Sequence, residues 1–444
     1  MGVGEEVKVV ESFVVSPSRE TPRKSLPLSP LDLVLANRGH TPLVFFYRSC
    51  AAADSEDDIF FDVARLKAAM ATALVSFYPL ACRLGVDGDG RAQIDCAEQG
   101  LPFFVAQSDL TLDNFINFKP SPELRRLFVP RLDDSPSVVC AIQVTFLRCG
   151  GAALGVAVHH AVVDGISTCH FLRTWAAFSS GDGAAAAALE PPCHDRTLLR
   201  ARSPPIVHPD ALSVFCPKLS PSQSDTMPDA VVNEIFTISM DQVAALKRSC
   251  SFGRGDISTF CAMSALVWRC VCAARRLQPD AMTRLTFQAN VRRRLRPPIP
   301  DSYFGNGIIM LCATGKVRDI ASESEEQLAS VAGRIGGAIR RMNDELVRSA
   351  IDYMELDMAA GLLATPAGGM SETELTVVSW LGMPFYDVDF GWGKPLVMHR
   401  AVQQRAGLVY LMDGAGGSVR VLASMEPATL NDFRRLLYGN TAKL

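Results

Sequence analysis

The sequence predicts an α/β (α+β) protein made of two mixed domains, and three observations carry that prediction. The chain has 444 residues, more than one compact core of ordinary size holds. Both halves mix short apolar runs of strand type with longer runs of helical period. Between the halves the composition shifts. An alanine run at Ala184–Ala188 leads into a stretch with Pro191, Pro192, Pro204, Pro205 and Pro209. That stretch reads as a crossover linker. The expected division is residues 1–190 as an N-terminal domain, 191–232 as the crossover and 233–444 as a C-terminal domain.

The elements follow in order. Val7 to Val15 and Leu43 to Tyr47 read as strands. Ile59 to Ala81 has helical spacing, with Phe61, Leu66, Met70 and Leu74 near one face. Val138 to Phe146 and Ala153 to His159 read as two strands joined by a turn at Gly150 and Gly151, and Gly165 to Phe178 as a helix. The second half restarts with a strand at Glu234 to Ile238, and Ser239 and Gln242 have capping-box spacing. Ser258 is placed to cap a helix running through Trp268 to Arg275. Strands are expected at Arg284 to Asn290, Glu374 to Leu381, Leu408 to Met412 and Val419 to Ala423. Helices are expected at Ser322 to Val347 and Pro427 to Leu437.

Hydrophobic residues make up 48% and charged residues 20%, a soluble globular balance. The formal net charge of -3 gives no reason to expect nucleic acid or an anionic membrane as partner. The 13 cysteines are scattered, without a Cys-x-x-Cys pair, which fits reduced thiols in a reducing compartment and no metal site. Met1 to Ser12 is acidic and lacks the apolar core of a signal peptide. Ala442-Lys443-Leu444 loosely resembles a peroxisomal ending, but the expected compartment is the cytosol.

The chemistry concentrates at His159-His160-Ala161-Val162-Val163-Asp164-Gly165. Two of the chain's seven histidines are adjacent here, at a strand-to-helix junction. Such a junction presents a side chain at a cleft while the strand keeps it rigid. Imidazole is the natural general base near neutral pH, so His160 is the candidate base. His159 reads as a buried, satisfied histidine. Asp164 can fold back through the turn to fix the backbone or pair with an arginine, and Gly165 permits the turn. A second segment, Asp389-Phe390-Gly391-Trp392-Gly393-Lys394-Pro395, is a loop no regular element would choose. The segment reads mainly as a packed turn with Asp389 buried in an ion pair, with direct acid–base chemistry as the alternative. An α/β-hydrolase would need Gly-x-Ser-x-Gly, and Gly165-Ile166-Ser167 lacks the closing glycine. Neither a P-loop nor a dinucleotide fingerprint is present.

Together these motifs resemble the BAHD acyltransferase family of plants, which carries His-x-x-x-Asp-Gly near mid-chain and Asp-Phe-Gly-Trp-Gly near the C-terminus. The resemblance runs the full length. Ser379-Trp380, Pro384 and Tyr386 lead into the second motif. Arg292, Leu295, Pro297, Pro298, Tyr303, Phe304, Gly305 and Asn306 look like the family's Arg-Leu-Pro-Pro…Tyr-Phe-Gly-Asn segment, and Ile257-Ser258-Thr259-Phe260 through Trp268-Arg269 like its CoA-side helix.

The resemblance implies two chloramphenicol-acetyltransferase-like domains with a central solvent channel. It implies acyl-CoA as co-substrate, no permanently bound cofactor, and a monomer. His160 would take a proton from an amine or alcohol acceptor as it attacks the thioester carbonyl. Asp164 would point away from the chemistry and brace the loop, against Arg292 for example, and Asp389 would be structural and distant. Ser258 and Thr259 would open the CoA-side helix. Arg248, Arg254, Arg275 and Arg276 are candidates for the CoA phosphates, and Ser379, Trp380 and Trp392 mark where to seek an oxyanion donor. The family often has Thr before Ser-Trp, where this chain has Val378.

Val15-Ser16-Pro17, Leu31-Asp32, His40-Thr41-Pro42 and Asp195-Arg196-Thr197-Leu198-Leu199-Arg200 look like the hydroxycinnamoyltransferase branch. That branch moves p-coumaroyl, caffeoyl or feruloyl groups to shikimate or quinate, or to amines such as putrescine, agmatine, spermidine and tryptamine. Shikimate-acylating members usually carry an arginine shortly before the Ser-Trp strand, and a Ser where Leu43 stands. Here Ser349 to Val397 contains no arginine but has Glu372 and Glu374. Without a guanidinium for a carboxylate, and with carboxylates for a cation, the expectation is an amine acceptor. O-acylation of an alcohol and a non-catalytic ligand-binding relative are the alternatives.

Overall fold

The computed structural model describes residues 7–49, 59–115, 119–183, 188–211, 231–251, 256–322, 324–359, 371–401 and 405–442. The chain is mixed α/β and divides into two compact units, each discontinuous in sequence. The first gathers Met1–Arg200, Pro300–Gly307 and Pro384–Gln403; the second gathers Ala201–Ile299, Ile308–Met383 and Gln404–Leu444. The two short excursions bring the Tyr303–Gly307 stretch and the Asp389–Lys394 loop into the unit that carries His160. Part of the expected crossover, 212–230, and 184–187 of the alanine run lie outside the described residues.

The first unit is built on a six-stranded sheet in the order Val7–Val15, Leu101–Ser108, Cys140–Leu147, Ala152–His159, His40–Tyr47 and Val397–Arg400. Leu101–Ser108 runs parallel to Cys140–Leu147, and the other neighbours are antiparallel. Ala152–His159 lies inside the sheet and is buried along its whole length, which explains its continuous small-and-apolar sequence. The register places His40 opposite His159, at the end that leads into His160. Helices Val63–Ser76 and Gly165–Ser180 pack together, and the buried Trp175 indole donates to the Leu66 carbonyl at 3.0 Å.

Gly155, in mid-strand, has no room for a side chain. A Cβ there would sit 1.7 Å from the Phe128 carbonyl oxygen and 3.1 Å from Val129 Cα. Backbone cannot yield as a flexible side chain would, so Gly155→Ala is expected to destabilise the fold by about 2–3 kcal/mol. A lowered urea midpoint relative to wild type checks this.

The second unit has a six-stranded sheet in the order Ile308–Lys316, Met282–Asn290, Glu374–Ser379, Leu408–Asp413, Val419–Met425 and Val232–Ile238. Glu374–Ser379 is parallel to both of its neighbours. Helix Thr259–Ala274 is buried almost throughout, and its Trp268 is a core residue whose indole donates to Thr283 Oγ1 at 3.0 Å. The Ser239–Gln242 capping box forms as its spacing requires.

One expected element is two. The periodicity over Ser322 to Val347 predicts a single helix, but the chain forms Glu325–Arg341 and Asp344–Ala359. Met342 leaves helical geometry with ψ 94°, and Asn343 Oδ1 accepts the Leu346 amide at 2.9 Å, capping a new start. Apolar spacing continues across the break, so periodicity alone did not mark it. The strands Leu101–Ser108 and Ile308–Lys316 are further elements, whose sequences LPFFVAQS and IIMLCATGK lack the apolar–polar alternation that marks a strand.

Candidate active site

His160 follows the last residue of strand Ala152–His159 and stands at the first step of the turn into helix Gly165–Ser180. Both of its backbone groups are tied. Its N–H donates to the Gly39 carbonyl at 3.0 Å, and its carbonyl accepts from Asn306 Nδ2 at 2.8 Å. Ala161, Val162 and Val163 behind it are buried, while His160 as a residue is partly exposed. Nδ1 is buried with no hydrogen-bond partner among the described residues, which leaves Nε2 as the nitrogen a substrate reaches. Burial lowers the pKa of His160 below the ordinary imidazole value of 6.5, and the guanidiniums of Arg400 and Arg38 lower it further. Its own carbonyl oxygen and Asp164 oppose this in part. The ring is therefore neutral at pH 7, with a lone pair to accept a proton.

Asp164 is 2% exposed, and its carboxylate holds backbone. Oδ1 accepts the Ser167 amide at 2.9 Å, capping the helix, and Oδ2 accepts the Gly307 amide at 3.0 Å. Ser167 Oγ in turn donates to the Gly305 carbonyl at 3.0 Å. The side chain thus fastens the turn to the Gly305–Gly307 segment.

His159 is the satisfied core histidine its neighbourhood implied. It is 6% exposed, its Nδ1 accepts the Ala161 amide at 3.2 Å, and its ring meets His40 edge-on at 4.9 Å. Burial, with His40 and His160 nearby, pulls its pKa down to about 4.

Beneath His160 lies a buried polar network that the sequence did not reveal as a unit. Asp32 is fully buried; its Oδ1 accepts both the backbone N–H and Nδ2 of Asn306, each at 2.9 Å. Its Oδ2 accepts from Ser29 N at 2.9 Å, Ser29 Oγ at 2.7 Å and Arg196 Nη1 at 2.5 Å. Arg196 Nη2 donates to the carbonyls of Val162 at 2.9 Å and Phe304 at 3.2 Å. Its members stand far apart in the sequence, in Leu31-Asp32, Asp195-Arg196 and Asn306.

The Asp389 loop belongs to the same unit. Asp389 Oδ1 accepts the amides of Gly391 at 2.8 Å and Gly393 at 2.9 Å, holding two glycines at positive φ. Arg65 clamps the loop: Nε donates to the Ser179 carbonyl at 2.5 Å, Nη2 to the Phe390 carbonyl at 3.2 Å, and the guanidinium lies 4.3 Å from the Trp392 ring centre. A Cβ on Gly391 would collide with that guanidinium. Asp389 corrects the expectation of a buried ion pair: it is half-buried and spends its hydrogen bonds on the backbone of its own loop, while Trp392 packs on Arg65, Phe60 and Phe61.

The remaining candidates lie in the second unit. Ser258 caps helix Thr259–Ala274 by accepting the Cys261 amide at 3.2 Å. Arg254 lies outside the described residues. Ser379 Oγ accepts the Leu381 amide at 3.3 Å, and Trp380 packs edge-on against Tyr410 at 4.9 Å. Arg275 is mostly buried and donates to the carbonyls of Glu372 and Glu374, and Arg276 pairs with Asp432 at 3.0 Å. Glu374 corrects an expectation. It is 4% exposed and bonded to Arg284, so it offers no open carboxylate to a cationic acceptor.

A family model described as the Transferase family matches residues 5–438. Putrescine hydroxycinnamoyltransferase 1 of Oryza sativa subsp. japonica is 42% identical, covering 97% of this chain and 98% of its own length. A hydroxycinnamoyl-CoA:5-hydroxyanthranilate N-hydroxycinnamoyltransferase of Avena sativa is 37% identical, with coverage of 98% and 99%. Shikimate O-hydroxycinnamoyltransferase of Nicotiana tabacum is 36% identical, also with coverage of 98% and 99%. Among solved structures, vinorine synthase superposes with a TM-score of 0.75 at 25% identity, covering 98% of each chain. TRI101 of F. graminearum, complexed with coenzyme A and deoxynivalenol, gives 0.77 at 17% identity over 92% of this chain and 96% of its own, a likeness of fold. With His160 and Asp164 on their turn and a family match over nearly the whole length, the chain belongs to the Transferase family, the BAHD acyltransferases.

Proposed function

We propose that this protein transfers a hydroxycinnamoyl-type group from its CoA thioester to an amine of the putrescine, agmatine, spermidine or tryptamine class, with His160 as general base. The observation that carries the chemistry is the neutral imidazole of His160, a partly exposed residue fixed through both of its backbone groups. The thioester is already activated, so no covalent enzyme intermediate is needed. The acceptor nitrogen attacks the carbonyl carbon, Nε2 of His160 takes the proton, and the tetrahedral intermediate collapses with loss of the CoA thiolate. The protonated ring can then return its proton to the thiolate. The oxyanion needs a donor, for which Ser379, Trp380 and Trp392 are the groups to test.

Two observations favour an amine. The relative at 42% identity is named for putrescine, and Ser349 to Val397 lacks the arginine that would hold a carboxylate acceptor. Glu374 gives no support, because its carboxylate is paired; Glu372 is exposed. O-acylation of shikimate is the second reading, favoured by the relative from Nicotiana tabacum at 36% identity.

The two readings differ in pH dependence. His160 titrates below 6.5, so the base is deprotonated throughout the range from pH 7 to 9. An amine of pKa about 10.4 gains up to tenfold in its neutral fraction with each pH unit over that range. The rate at subsaturating amine should therefore climb from pH 7 to 9, whereas an alcohol acceptor gives a flat profile. Equal putrescine and shikimate offered together with p-coumaroyl-CoA, products identified by mass, tests the acceptor. Coumaroylputrescine as main product supports the proposal; a shikimate ester alone refutes the acceptor.

A further inference from the structure

Many base histidines are oriented by a carboxylate that accepts the Nδ1 proton. His160 has no such partner: Nδ1 is unpaired among the described residues, and the nearby Asp164 carboxylate accepts from the Ser167 and Gly307 amides. The group that acts on the ring is instead its own carbonyl oxygen, so the position of the ring follows the backbone of His160. One backbone tie goes to the Gly39 carbonyl and the other to Asn306. Asn306 is fully buried, and its side-chain amide bridges two acceptors, Asp32 Oδ1 at 2.9 Å and the His160 carbonyl at 2.8 Å. Both acceptors require N–H, which fixes the orientation of the amide. Asp32 holds Asn306 a second time through its backbone N–H and is itself held by Ser29 and Arg196. Arg196 also grips the Val162 carbonyl, two residues past the base.

We propose that Asn306, oriented by Asp32, is a positioning residue for His160, its side-chain amide anchoring the carbonyl of the base to a buried carboxylate. The inference rests on the reading of His160 as base. Asn306 touches no reacting atom. Without its amide the His160 peptide is free to turn, and the ring at its end moves relative to the acceptor proton. A displacement of this kind degrades the reaction geometry and leaves donor binding nearly untouched.

The test compares wild type, His160→Ala, Asn306→Ala, Asp32→Asn and the double variant, using p-coumaroyl-CoA and putrescine. Asn306→Ala keeps the Asp32–Arg196 pair; Asn306→Ser, too short to bridge, is the second variant should it not fold. We expect kcat to fall about 10–100-fold in Asn306→Ala, with KM for p-coumaroyl-CoA within about twofold of wild type. Since Asp32 holds Asn306 as well as Arg196, the double variant should be slowed by less than the product of the two single effects. In 15N-histidine protein, the His160 ring resonances, assigned by their loss in His160→Ala, should shift or broaden in Asn306→Ala. A folded Asn306 variant with wild-type kcat and unchanged His160 resonances overturns the proposal, as do fully additive effects. The failures separate: a fully active His160→Ala sinks the base assignment itself, whereas inactive His160→Ala beside fully active Asn306→Ala sinks only the positioning.

Discussion

His160→Ala should lower kcat by about 10²- to 10⁴-fold, the usual contribution of a positioned general base, while the fold stays intact. The second half of that expectation comes from the contacts. Nδ1 of the imidazole has no partner on another described residue, and the carbonyl that acts on the ring is its own and is also held by Asn306, so removal of the ring orphans no buried partner. The bonds to Gly39 and Asn306 use the backbone of residue 160 and survive the substitution. A thermal melt within a few degrees of wild type, measured beside the turnover assay, checks both parts. A large fall in melting temperature would mean that the side chain holds the fold, and the lost rate would then report unfolding instead of missing chemistry.

Asp32→Ala should have the opposite signature, a loss of stability. Asp32 and Arg196 form a buried pair at 2.5 Å, with side chains 0% and 2% exposed. Removing the carboxylate strands a guanidinium without access to water and deprives Ser29 and Asn306 of their acceptor. Breaking one side of such a pair costs about 3–5 kcal/mol, because the remaining charge stays buried and uncompensated. The check is the free energy of urea unfolding for Asp32→Ala, and for Asp32→Leu combined with Arg196→Met. Since the double replacement leaves no charge behind, it should lose less stability than the single one. If Asp32→Ala unfolds like wild type, the network does not hold the turn as described.

Much of the site was legible because its chemistry lies in consecutive residues. The strand before His160, the cap at Asp164 and the helix after it are local features, and local spacing reveals them. Ser258 and the Ser239–Gln242 box were readable for the same reason. The support of the site was not. Asn306 reaches His160 across 146 positions and Asp32 across 274, and the Gly305–Gly307 segment belongs to a unit most of whose chain precedes it. No periodicity encodes such pairings; they arise only when buried polar groups must find partners. Glu374 shows the converse error. It begins a strand as its sequence predicts, but the carboxylate offered there to a cation is buried and neutralises Arg284. Asp389 lies between: its glycine-rich setting announced a special turn, and the turn proves to be what its carboxylate holds.

The most direct test of the central claim is release of free CoA thiol from p-coumaroyl-CoA, followed with and without putrescine, in wild type and in His160→Gln. The account predicts rapid release only when acceptor and His160 are both present, with one acylated product formed per thiol. Equal release without an acceptor would indicate hydrolysis, and undiminished release in His160→Gln would remove His160 from the chemistry; either result contradicts the mechanism.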